Sequence, residues 1–301
     1  MFRKLVAILI STAFGISLAA ATEDPFPQTK LSAVEIVEKN VAARGGLEAW
    51  RAVQTLSYEG HLSTAADPRV ARRMPASGPK RSHPLQRPQL VPQRPVRPLA
   101  VVPFLIEFAR PRKQRIELQF KGQTSVQVFD GAGGWRLRPF LYPREVEPLT
   151  QEEIDAASQQ ADLDGPLVDY AAKGTNIELD GIEKVEGRDT YKIKLTLHSG
   201  KNLHVWIDSQ TFLETKIEGA PRRLNGVYHP VEIYYRDYRS VDGLQIPFLL
   251  ETRVQPVTDA PGFRGTPFPV QRMVIDKAVV NPKLDPSFFS KAGIEPSSST
   301  N

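Results

Sequence analysis

Three segments, "FLIEF" (104–108), "RIELQF" (115–120) and "TSVQVF" (124–129), alternate apolar and polar residues and are joined by short connections. No other feature of the chain restricts its fold so strongly. A period of two places successive side chains on opposite faces of a strand, and a connection of a few residues admits only an antiparallel neighbour. Phe104, Ile106 and Phe108 then share a face, as do Ile116, Leu118 and Phe120, while Glu117 and Gln119 point the other way. Such a sheet is apolar on one side and wet on the other.

"FDGAGGWRLRPF" (129–140) extends the pattern. A glycine-rich loop that cradles phosphate needs a helix after it, because the helix N-terminus supplies the donors. Here Trp135 and Leu137 alternate with Arg136 and Arg138, which is a strand, and Asp130–Gly131 is a tight-turn pair. The glycines are hairpin chemistry, and no nucleotide is expected as a partner. Further strands are expected at Leu56–Leu62, Ile177–Leu179, Tyr191–Leu197, Leu203–Ile207, Leu213–Ile217, Val231–Tyr238, Ile246–Val254 and Arg272–Val280. The total of roughly eleven suits a strongly curled sheet.

Helices are few. Ser32 and Glu35 have capping-box spacing before the stripe Val34, Val37, Val41, and Gly45–Gly46 ends the run. A short piece over 47–52 carries Trp50, read as a core aromatic. Thr150 and Glu153 repeat the capping box, and Pro166 and Gly174 bracket a further expected helix over 164–174. The expected fold class is mainly β with a few helices (α+β).

The N-terminus has the form of an export signal: a basic start at Arg3–Lys4, an apolar run from Leu5 to Ala20, and Ala19–Ala20–Ala21 as the cut site. Residues 1–21 are read as a signal peptide; an uncleaved anchor is the alternative. The chain has no cysteine, which excludes disulfides, thiol nucleophiles and acylation after the signal.

Net charge is +5, but Arg3 and Lys4 leave with the signal, giving +3, and residues 67–98 alone carry +7, so the remainder is about −4. The basicity belongs to one proline- and arginine-rich insertion at 66–102, and nucleic acid is not an expected partner. Such a composition lacks the apolar surface to offset its chain entropy. It reads either as a solvated loop or as a basic arm, with Arg72, Arg73, Arg81 and Arg87 touching an anionic membrane surface or another acidic envelope polymer. A disordered tail is expected at 295–301, leaving 22–294 as one domain.

Catalytic patterns are sparse. No HExxH and no GxSxG occurs, and the five histidines have no ligand spacing, so neither metal nor cofactor is expected. Glu152, Glu153 and Asp155 fall in a helix's first turn, where acids favour the dipole. A hydrolase of envelope material, assembled from distant residues, stays open as a rival.

"FDGAGGW", "LTQEEIDAASQQADLDGPLVDYAAKG", "VWIDSQTFLETK", "YRDYRSVDGLQIPF" and "NPKLDPSFF", in this order, resemble the periplasmic outer-membrane lipoprotein-sorting family of LolA/LolB-like carriers. The likeness spans roughly residues 32–290, apart from the insertion. It implies an incomplete antiparallel barrel wrapped over helices, a periplasmic location, no catalysis, and an apolar cavity for acyl chains of lipids or lipoproteins. On that reading the candidate lining is Phe104, Ile106, Phe108, Ile116, Leu118, Phe120, Trp135, Leu137, Ile193, Leu195, Val205 and Ile207. The same residues would equally serve as solid core, and an interaction or sensor module on the same scaffold is then the alternative function.

Overall fold

The computed structural model describes residues 31–65, 101–141, 145–224, 226–257 and 268–294. The signal-peptide reading of 1–21, the tail at 295–301, and Arg72, Arg73, Arg81 and Arg87 of the insertion lie outside these residues.

Helix α1 (Ala33–Ala43) starts where the capping box places it. The Glu35 N–H donates to the Ser32 hydroxyl at 3.3 Å, and the Ser32 N–H donates to the Glu35 carboxylate at 2.7 Å. Two groups that a helix start leaves orphaned are thereby satisfied. Helix α2 (Leu47–Ala52) follows the Gly45–Gly46 break, and α3 (Gln151–Gln160) carries its own capping box from Thr150 and Glu153.

The strands are β1 (Thr55–Ala65), β2 (Val102–Ala109), β3 (Lys113–Phe120), β4 (Gln123–Phe129), β5 (Gly134–Leu137) and β6 (Val146–Pro148), then after α3 β7 (Asn176–Val185), β8 (Arg188–Thr196), β9 (Asn202–Asp208), β10 (Glu214–Leu224), β11 (Val227–Val241), β12 (Leu244–Val254) and β13 (Val270–Val280). They form one antiparallel sheet of thirteen strands in the order β6-β5-β4-β3-β2-β1-β13-β12-β11-β10-β9-β8-β7. The chain lays down one arm outward from β1, crosses through α3, and returns until β13 pairs with β1. The edges β6 and β7 do not pair, so the sheet is curled and open rather than a closed barrel.

Register breaks at Glu59/Gly60, Leu179/Ile182, Glu214/Lys216 and Gly219/Arg222 mark bulges, which bend and twist the strands. Gly60 marks the tightest approach: a Cβ there would run into the Val274 carbonyl and lie 2.8 Å from the Phe104 ring.

Pairing fixes which side chains share a face, because directly opposed residues point the same way. Gly60 faces Phe104, Phe104 faces Leu118, Ile106 faces Ile116, and Ile116 faces Gln127, which faces Arg136. On the other arm Leu62 faces Met273, Met273 faces Leu250, and Leu250 faces Tyr235. Ile233, two residues from Tyr235, faces Ile217, then Val205 and Ile193. This is the inner face. Helix α3 sits on it through Ile154, Ala157 and Ala161, clustered with Phe129 and Leu149. The outer face of β4 and β5 is covered instead by the C-terminal segment: Phe289 and Ile294 pack on Val126, Val128 and Leu137.

Two expectations change. Residues 164–174 form turns rather than a helix. Asp169 takes a left-handed φ of 52°, and both its carboxylate oxygens are held by Arg51, at 3.0 and 2.7 Å, so a helix cannot run through it. Strand β2 begins at Val102, inside the span assigned to the insertion.

Candidate functional site

Between α3 and strands β3 to β5 lies a groove of about 440 Å³. Ile116 and Leu118 form its apolar floor, with Ala156, Ala157 and Gln160 contributed by α3. Ser125, Gln127, Arg136, Arg138 and Glu153 form a polar wall, and the exposed Phe140 stands at its margin. The volume falls in the range of small-molecule sites, and the lining is divided between apolar and polar side chains.

The wall is electrostatically ordered. Glu147 accepts from Arg136 at 3.2 Å and Arg138 at 3.0 Å, and these bonds hold its carboxyl below the usual range. Burial would raise Glu153, but its bonds to Thr150 and its pairing with Arg136 outweigh this and lower it. Both carboxylates are therefore ionised near neutrality, and they match the two arginines in number.

The candidate lining residues divide. Ile116 and Leu118 line the groove. Phe104, Ile106, Phe108 and Phe120 share its face on β2 and β3; Phe104 and Ile106 are buried, while Phe120 is exposed and meets Phe140 edge-on with centroids 5.9 Å apart. Ile193, Leu195, Val205 and Ile207 occupy the inner face of β8 and β9, near β7 where α1 packs, and keep no accessible surface. Trp135 and Leu137 do not belong with them. They oppose Val128 and Val126 on the outer face, under the C-terminal segment, because the β4–β5 hairpin brings Arg136 and not its apolar neighbours to the inner side. Ser125, Gln127, Arg136, Arg138, Glu153 and Ala156 escaped the sequence reading. Counting residues across the two tight turns from Ile116 would have found Gln127 and Arg136.

The glycine turn carries no ligand geometry. The Asp130 carboxylate accepts the N–H groups of Ala132 and Gly133 at 2.9 and 2.8 Å, closing a hairpin.

One end of the sheet is plugged by charge. Arg110 donates to the carbonyls of Val53 and Trp50 and to the Asp164 carboxylate at 2.6 Å, and Lys173 bonds both Asp164 and Asp162. Burial would raise Asp164, but Lys173 and then Arg110 outweigh it and hold it low. Beside this, buried Arg44 pairs with Glu214 at 3.3 Å and stacks 4.4 Å over Trp50. Around Arg44, burial pushes the hydroxyls of Tyr58, Tyr235 and Tyr238 upward. The opposite end, at the close of β3 and β5 and the starts of β2 and β11, carries Val101, Phe120, Phe140, Leu141 and Tyr228 as exposed apolar groups. Among the described residues no cluster of metal-binding side chains occurs, and no helix is long and apolar enough to cross a membrane.

No family model and no curated protein matches the sequence. Solved structures do match the fold. A LolA superfamily protein from Nitrosomonas europaea aligns over 88% of this chain and 100% of its own, with 12% identity and a TM-score of 0.51. A putative outer membrane lipoprotein-sorting protein domain from Vibrio parahaemolyticus aligns over 87% and 97%, with 9% identity and a TM-score of 0.50. A DUF1329 family protein from Desulfovibrio piger aligns over 87% and 99%, with 11% identity and a TM-score of 0.51. The chain has the LolA-like fold.

Proposed function

We propose that this protein is an exported, periplasmic, non-catalytic carrier that shelters acyl chains of lipids or lipoproteins in the groove beneath α3. The observation that carries this reading is the groove itself: Ile116 and Leu118 are apolar, only half-buried, and roofed by the small residues Ala156 and Ala157. An acyl chain recovers about 0.8 kcal/mol for each methylene it withdraws from water, so ten sheltered methylenes give about 8 kcal/mol before binding costs. The exposed apolar groups near the groove's end, Phe120, Phe140 and Leu141, suit the entry of a chain from a hydrophobic donor. A lipoprotein-sorting role is named for one of the proteins sharing the fold and supports the cargo class.

Native mass spectrometry of the exported chain, purified without detergent, tests this. The expected result is co-purifying mass of one lipid or acyl ligand per chain, released on denaturation. A chain that is ligand-free and takes up none on incubation with phospholipid contradicts the reading and favours an interaction module with a filled interior.

A further inference from the structure

Arg138 is the least satisfied charge in the groove. Among the described residues its side chain makes one hydrogen bond, from Nη2 to Glu147 at 3.0 Å, and its Nε is shielded from water without a partner. An arginine presents five donors in a planar fork suited to carboxylate and phosphate oxygens. Arg136, two residues away on the same face, pairs through Nε with Glu147 and through Nη1 with Glu153. Glu153 in turn spends its other oxygen on the Thr150 cap. Among the described residues Arg138 is thus the wall arginine with the fewer carboxylate partners, Glu147 alone. It stands where an apolar floor, Ile116 and Leu118, meets the polar wall. With 40% of its side chain exposed, it can turn toward a ligand without backbone movement.

We infer that the groove selects anionic amphiphiles, with the hydrocarbon on Ile116 and Leu118 and a carboxylate or phosphate head on Arg138. This rests on the carrier reading and adds a head-group specificity to it. A charge-assisted bond to this half-buried guanidinium favours the anionic head by about tenfold over a neutral or zwitterionic one.

The test is a titration of the full mature chain with two single-chain lipids of equal length, lysophosphatidylglycerol and lysophosphatidylcholine, with myristate as a third arm that separates carboxylate from phosphate recognition. Tighter binding of lysophosphatidylglycerol or myristate than of lysophosphatidylcholine is expected, by about tenfold. Arg138→Gln should remove that preference by weakening lysophosphatidylglycerol and myristate binding more than lysophosphatidylcholine binding, and Arg138→Lys should restore part of it. Far-UV circular dichroism and a melting curve on each variant establish that it is folded. Equal binding of all three lipids by the parent chain, or a preference that survives Arg138→Gln, overturns the head-group inference and leaves the carrier reading intact. Binding of none overturns both.

Discussion

Ile116 and Gln127 stand directly opposite each other on β3 and β4, and both line the groove beneath α3. One register position thus places an aliphatic and an amide side chain side by side, and the boundary between hydrocarbon and polar surface runs between these two strands. A groove of this composition suits an amphiphile rather than a wholly apolar or wholly polar guest.

The roof offers a direct way to fill that space. Ala156 is half-buried on α3 and lines the groove, whereas its neighbour Ala157 is 1% exposed and belongs to the core. Ala156→Trp should block the groove and weaken acyl-chain binding by tenfold or more, about 1.4 kcal/mol. The melting temperature should stay within a few degrees of the parent. Fluorescence titration with a dansylated fatty acid, paired with a thermal melt, separates the two effects; undiminished binding would move the site elsewhere.

Aspartate substitutions at two inner-face positions should behave differently. Ile106 is 6% exposed and sits between Tyr58 and Ile116, so Ile106→Asp buries an unpaired carboxylate and should cost about 3 kcal/mol or more. Leu118 is half-buried in the groove wall, so Leu118→Asp should leave a folded chain that has lost acyl capture. Urea unfolding of both variants is the check. Equal loss of stability would mean that Leu118 is as much a core residue as Ile106.

Much of this architecture is legible in the sequence, and the failures have identifiable causes. Ser32–Glu35 and Thr150–Glu153 announce both longer helices because a capping box is local chemistry. Alternation in 104–129 announces the sheet for the same reason. Trp135 and Leu137 mislead because both faces of β4 and β5 are covered, one by α3 and the other by Phe289 and Ile294. Where both sides are dry, an apolar residue no longer marks the inner one. Asp169 misleads because its partner, Arg51, is 118 residues away in the chain, and that bond replaces the expected helix by turns.

Curvature depends on Gly60. A methyl group there meets backbone at Val274 and the ring of Phe104, at a bulge between β1 and β13. Gly60→Ala should destabilise the protein by about 1–3 kcal/mol through overpacking, measured as a fall in urea midpoint with little change in slope. A neutral substitution would show that the two sheet arms flex freely at this point.

The Asp162 carboxyl gives the fold a pH signature. Burial pushes it up to about 6 despite its ion pair with Lys173 at 2.9 Å. The folded protein therefore holds a proton that the unfolded chain releases near pH 4, about the ordinary value. Stability contributed at this site is greatest at or below about pH 4, declines as pH rises through about 6, and is level above that. Asp162→Asn fixes the neutral form, so it should melt higher than the parent at pH 7 and match it by pH 4. Calorimetry across that range decides; a variant that melts lower at pH 7 would show that the ionised pair with Lys173 is net stabilising.

The most direct measurement is a crystal structure of the mature chain grown with a saturating long-chain lipid. Hydrocarbon density lying along Ile116 and Leu118 beneath Ala156 is the expected result. A groove that stays filled only by water, with lipid bound nowhere on the inner face, would contradict the account.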